Sequence, residues 1–107
     1  MITIPNNDPD ATLKFNDGIE DLEIKMWFNS INYERKESLF SYEASINNVI
    51  GELKLVDDYF VFFRHSGGSD WVLMPKKVGL YNLHEALVKQ MKDVIAEVIL
   101  LGAENEN

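Results

Sequence analysis

The chain contains no cysteine among its 107 residues. Disulfides, thiol nucleophiles and cysteine-ligated zinc are thereby excluded, and a reducing compartment is the natural setting. Long hydrophobic runs are missing as well. The longest candidate, Val94 to Leu101, is interrupted by Glu97 and falls far short of the roughly 18–20 residues of a membrane span. The opening Met1-Ile2-Thr3-Ile4-Pro5 has no basic stretch followed by an apolar one, so no secretory signal is expected and the cytoplasm is the expected location. Basic residues are scarce: ten Lys and Arg stand against eighteen Asp and Glu, a net charge of −8. Arg35-Lys36 and Lys76-Lys77 are the only adjacent basic pairs. This deficit argues against direct binding of nucleic acid, which depends on cations neutralising phosphates.

What is present suffices for one folded unit. The composition is 46% hydrophobic with six Phe, four Tyr and two Trp, enough for a core that needs no metal or disulfide as a staple. A single domain over residues 1–107 is expected, with 1–10 and 103–107 flexible in part. The charge is unevenly spread along it. Residues 1–24 hold Asp8, Asp10, Asp17, Glu20, Asp21 and Glu23 against Lys14 alone, a net of −5, whereas the remainder carries only −3. A field of that sign repels phosphates and speeds encounter with a basic protein surface.

Periodicity predicts a meander of strands. Thr12 to Phe15 reads as a short strand closed by Asn16-Asp17-Gly18. Leu22, Ile24, Met26 and Phe28 alternate with Glu23, Lys25 and Trp27, a half-buried strand with Trp27 on its polar side. Asn29 to Lys36 reads as a connection anchored by Ile31 and Tyr33. Leu39 to Ile46 and Val49 to Val56 form a hairpin about Asn47-Asn48, since Asn tolerates positive φ, and Gly51 weakens the second strand or marks a bulge. After a turn at Asp57-Asp58, the run Tyr59-Phe60-Val61-Phe62-Phe63 reads as a central strand covered on both faces. Ser66 to Asp70 is a turn, and Trp71 to Met74 a further strand stopped by Pro75.

The period then changes. Leu83, Leu87, Val88, Met91, Val94, Ile95, Val98 and Ile99 recur at threes and fours, an amphipathic helix of about five turns. Asn82 suits its N-cap, Glu85 completes a capping box and Gly102 suits the position that ends it. The expected fold is α+β: an antiparallel β-meander of five to seven strands with a long C-terminal helix packed on one face.

Chemistry is thinly provided. His65 and Asp70 flank Gly67-Gly68 and could form an imidazole–carboxylate pair, but no serine stands in a nucleophile-elbow context. His65 is read as a strand end at the surface, and a non-enzymatic chain is expected. Asp17, Glu20, Asp21 and Glu23 offer hard oxygen ligands without the spacing of a calcium loop, so neither a metal nor a cofactor is predicted. Gly67-Gly68-Ser69-Asp70 lacks the Lys-Ser/Thr pair and following helix of a phosphate loop. The helix presents Glu85, Asp93 and Glu97 beside Lys89 and Lys92, a mixed face that suits core packing better than a lipid surface.

There remain acidic turns beside aromatics: Asp57-Asp58 before Tyr59 and Phe60, and Asp70 before Trp71. In a meander these two turns fall at opposite ends of the sheet, so only one can join the N-terminal acids. The candidate partner-binding residues are Asp17, Glu20, Asp21, Glu23, Trp27, Asp57, Asp58, Asp70 and Trp71. In size, acidity and lack of a signal or catalytic groups, the whole chain resembles the immunity proteins of bacterial toxin–immunity pairs, such as those of contact-dependent growth inhibition and colicin-like systems. That resemblance rests on no motif, and it implies a cytoplasmic protein that binds a cognate toxin, often a basic nuclease. An adaptor or assembly factor working through a sheet edge or helix face is the competing expectation.

Overall fold

The computed structural model describes residues 4–16 and 18–105. Six strands run in chain order: β1 (Ala11–Asn16), β2 (Asp21–Asn32), β3 (Glu37–Ala44), β4 (Val49–Val56), β5 (Phe60–His65) and β6 (Val72–Leu73). They form one antiparallel sheet in the order β1-β2-β3-β4-β5-β6, followed by a single helix, α1 (Leu83–Asn105). The expected α+β meander with a C-terminal helix is therefore the fold. No helix among the described residues is long and apolar enough to cross a membrane.

Side-chain alternation explains the layering. Leu13, Leu22, Ile24, Met26, Phe40, Tyr42, Leu53, Leu55 and Val61 point to one face and are buried there with Leu83, Leu87, Met91 and Val94 of α1. Each such side chain contributes about 1.5–3 kcal/mol by leaving water. The helix packs against β1 and β5, and the residues at its start bridge distant parts of the sheet. Tyr81 stacks near Phe15 and donates its hydroxyl to the Glu20 carbonyl (3.2 Å), while His84 donates Nε2–H to the Tyr59 carbonyl (2.8 Å). Among the described residues no further sheet or helix covers the other face, though the segment before β1 lies over Trp27 there. That face carries charged and polar side chains with a few aromatics, in rows set by the register.

Two hairpins follow the sequence closely. Asn47 and Asn48 both adopt positive φ (58° and 50°), as do Asp57 and Asp58 (55° and 60°), the backbone that suits short antiparallel turns. The Tyr59 amide donates to the Val56 carbonyl and closes the second of them.

Other elements differ from expectation. Residues 29–32 are not a connection: β2 runs on to Asn32, pairing Ser30, Ile31 and Asn32 with Leu39, Ser38 and Glu37 after a bulge between Phe28 and Ser30. The Asn29 amide donates to the Ser41 hydroxyl (2.9 Å), and the Asp10 carboxylate accepts the Phe28 amide (2.6 Å), so the bulge is stabilised by two side chains. Tyr33 is exposed and anchors nothing. β3 spans Glu37–Ala44, earlier than read. Gly51 lies in an unbroken ladder instead of a bulge. It is glycine because a Cβ there would meet the Arg64 carbonyl oxygen at 2.4 Å.

β5 begins at Phe60 and is penultimate, not central. Phe60 is 44% exposed, because only the two residues of β6 lie beyond and, among the described residues, no further sheet or helix covers the outer face. β6 is Val72–Leu73 alone, leaving Trp71 in the preceding loop. The helix does not stop at Gly102 but continues to Asn105. The segment before β1 is fastened too. Asp10 donates its amide to the Met26 carbonyl (2.8 Å), and Asn7 accepts from Trp27.

Candidate functional site

The antiparallel order sorts the turns by parity. The β1–β2, β3–β4 and β5–β6 connections share one end of the sheet, whereas β2–β3 and β4–β5 share the other, where the Asp57 amide donates to the Lys36 carbonyl (3.0 Å). Glu20 and Asp21 thus share an end with Asp70, and Asp57-Asp58 lie at the opposite one. This resolves the alternative that the sequence left open. Sharing an end does not make one patch, however. The β1–β2 and β5–β6 connections sit at the two edges of the strand order, and Asp21 is engaged by the Asn16 amide.

The N-terminal acids are divided further. Asp10 lies at the far end of β1 from Asp21 and caps the Phe28 amide. Glu23 is on the open face of the sheet, within 3.9 Å of both Lys14 and Lys25, so its charge is balanced locally. Asp17 lies outside the described residues. All the described carboxylates stay at least partly in water: none of Asp8, Asp10, Glu20, Asp21, Asp57, Asp58 or Asp70 is even half-buried, and Glu23 is half-buried at most.

The two tryptophans have different fates. Trp27 is only 5% exposed, and its Nε1–H donates to the Asn7 carbonyl (3.0 Å). The chain's own N-terminal segment covers it, so Trp27 is not a free surface for a partner. Trp71 is half-buried on the open face. The Lys54 ammonium lies 4.5 Å from its ring centroid and the Arg64 guanidinium also 4.5 Å, an arrangement in which the ring quadrupole attracts both cations. Arg64 is in turn ion-paired with Glu52, its cross-strand neighbour. Trp71 thereby folds the β5–β6 loop back onto the sheet.

His65 ends β5 at the surface, and no hydrogen bond or ion pair joins it to Asp70; its Nδ1 lies 3.4 Å from the Ser66 carbonyl. His84 is buried at the start of α1 against the Tyr59 ring (centroids 5.0 Å apart). The carbonyl it meets can only accept, so Nε2 carries a proton. Among the described residues, no three His, Asp or Glu side chains are placed to hold a metal ion. Burial raises the Tyr42 phenol above its ordinary value.

The sequence reading passed over Lys54 and took Arg35 only as half of an adjacent basic pair. Both border a depression on the open face, where the register puts Ser30, Leu39, Lys54, Phe62 and Leu73 in one cross-strand row. The alternation of β4 carried the signal for Lys54, since it lies out of phase with buried Leu53 and Leu55. Nothing local marked Arg35, which depends on the unforeseen length of β2. Comparison with protein-family models, with curated proteins and with solved structures finds no match to this chain.

Proposed function

We propose that this chain is a non-enzymatic, cytoplasmic binding protein of the immunity type, which neutralises a basic partner protein such as a nuclease toxin. One observation carries the reading: a body bearing a net charge of −8 buries none of its described carboxylates. A nuclease groove is positive so as to hold phosphates, and surface carboxylates attract it and can stand in for the phosphate backbone. The contact we favour is the sheet end bearing Glu20, Asp21 and Asp70, all exposed where the strand order brings their connections to one end. The opposite end, with Asp57 and Asp58, adds to the long-range field.

The test uses the partner captured from the native host at low salt, purified, and mixed with this protein in stopped-flow measurements. A basic partner should associate with a rate that falls steeply with salt. Changing Glu20, Asp21 and Asp70 together to Lys should slow association about tenfold or more, within the range electrostatic steering covers. The same reversal at Asp57 and Asp58 should slow it less. An acidic partner, or a rate indifferent to salt, refutes the reading. A second reading, an adaptor binding through the β5–β6 edge, is favoured by the exposure of Phe60, Val72 and Leu73 there. It predicts capture that survives high salt and is lost on Leu73→Glu.

A further inference from the structure

The depression on the open face holds about 350 Å³ and is lined by Ser30, Asn32, Arg35, Glu37, Lys54 and Trp71. Three unrelated local features build it. The bulge after Phe28 extends β2 and turns Ser30 to the outer face opposite Leu39. Asn32 accepts the Arg35 amide through Oδ1 (3.1 Å), which fixes the turn and leaves its Nδ2 as a donor. Lys54 is held between aromatic rings, 4.5 Å from the Trp71 centroid and 5.5 Å from that of Phe62.

The cations here differ from the others on the strands of the open face, Lys14, Lys25 and Arg64, which are ion-paired. Glu23 is matched by Lys14 and Lys25, and Arg64 by Glu52. Among the described residues, neither Lys54 nor Arg35 has a carboxylate within 4.0 Å. The aromatic rings hold the Lys54 ammonium in a half-buried place without supplying a counter-charge. The donors of Lys54, Arg35, Asn32 and Ser30 border one small space, with Glu37 as the single opposing anion.

We infer that this depression binds a carboxylate: an acidic side chain of a protein partner, with an adjoining apolar group resting on Leu39 and Trp71. Charge complementarity selects that occupant. Two cations without ion-pair partners match one carboxylate, and hydrogen bonds to a charged acceptor are about twice as strong as neutral ones. An extended polyanion such as nucleic acid meets the repulsion of the net −8 around the site. The site adjoins Asp70 of the sheet end proposed above through Trp71 but uses none of its acids, and it does not depend on the partner being a toxin.

The test is a nuclear magnetic resonance titration of the isotope-labelled full chain with phenylacetate, which joins a carboxylate to an apolar ring. Saturable shifts should appear at the Asn32 and Arg35 amides and at the Trp71 indole, while the Trp27 indole stays still. Arg35→Gln and Lys54→Met should each weaken binding by about tenfold, the loss of one charge-assisted hydrogen bond. Glu37→Gln should tighten it by removing the like charge. Phenethylamine, with the same ring and a cation, should leave the spectrum unchanged. Arg35 is exposed on a turn, so its variant keeps the fold and decides the matter if Lys54→Met perturbs the sheet. The proposal is overturned by absence of saturable shifts up to about 50 mM phenylacetate, by binding that both substitutions leave intact, or by equal response to phenethylamine. Inorganic phosphate binding more tightly than phenylacetate would likewise overturn it, assigning the site to phosphate.

Discussion

Gly51→Ala is the sharpest perturbation the fold permits. The added Cβ would stand 2.4 Å from the Arg64 carbonyl oxygen, 2.7 Å from the His65 Cα and 2.8 Å from Cε1 of Tyr42. The Tyr42 ring can turn aside, but the first two atoms are backbone of β5. They are held by the pairing of Gly51 with His65 and Glu52 with Arg64, and by the Ser66 amide on the Ile50 carbonyl (2.8 Å). Relief therefore requires the end of β5 to peel from β4. Overpacking of this kind costs about 1–3 kcal/mol, and each strained ladder hydrogen bond adds about 1 kcal/mol. Alanine returns roughly 0.5–1 kcal/mol through its smaller backbone entropy loss. The net expectation is destabilisation by about 2–4 kcal/mol. In urea unfolding followed by circular dichroism, with a slope of about 1–3 kcal/mol/M, the midpoint should fall by about 1–2 M at constant slope. Adding Tyr42→Leu should not restore it, because the obstacle is main chain. A midpoint unchanged or raised by Gly51→Ala would refute the close approach of β4 and β5.

Gly102→Ala should stabilise the protein by up to about 1 kcal/mol, because Gly102 is inside the helix with open space around it; a C-terminal cap at positive φ would give the opposite sign. Trp27→Phe removes the donor to the Asn7 carbonyl, so it should cost about 1 kcal/mol and hasten limited proteolysis of the segment before β1. Tyr42 titrates above its ordinary 10.0 because burial disfavours the phenolate. The unfolded chain loses this proton first, so the stabilisation is whole below pH 10.0 and declines as pH rises through the folded value. Tyr42→Phe should therefore show a smaller fall in Tm between about pH 9 and about pH 11 than the parent protein.

The strands that alternation marks are the strands that form, and the reason is local. Leu22, Ile24, Met26 and Phe28 can share a buried face only in extended chain, and Asn47-Asn48 and Asp57-Asp58 tolerate the positive φ that their turns impose. Where the reading fails, the deciding contact is distant in sequence. Asn29 to Asn32 looks like loop because a bulge breaks the period of two at Phe28, and the segment is strand only through its pairing with Glu37 to Leu39. The aromatic run of β5 reads as buried on both faces. On the outer side Phe60 stands exposed and Phe62 is met by Lys54, which local composition does not encode. Gly102 fits a helix interior and a helix end equally well by residue type.

The candidate surface was harder to read than the fold because sequence counts charges while topology places them. Asp10 and Asp21 belong to one acidic stretch, yet the six residues of β1 stand between them, and extended chain of that length separates its ends by about 20 Å. A meander divides any acidic stretch that contains a strand, sending alternate turns to opposite ends. Acids on strands meet a further constraint, since register sets them beside cross-strand neighbours. Glu23 faces Lys14 and Glu52 faces Arg64, and both are ion-paired. Carboxylates on turns have no cross-strand neighbour fixed by register. What remains for a partner is accordingly set by turn parity more than by local charge density. Turn parity brings Glu20 and Asp70 to one end of the sheet, although some fifty residues of chain separate them.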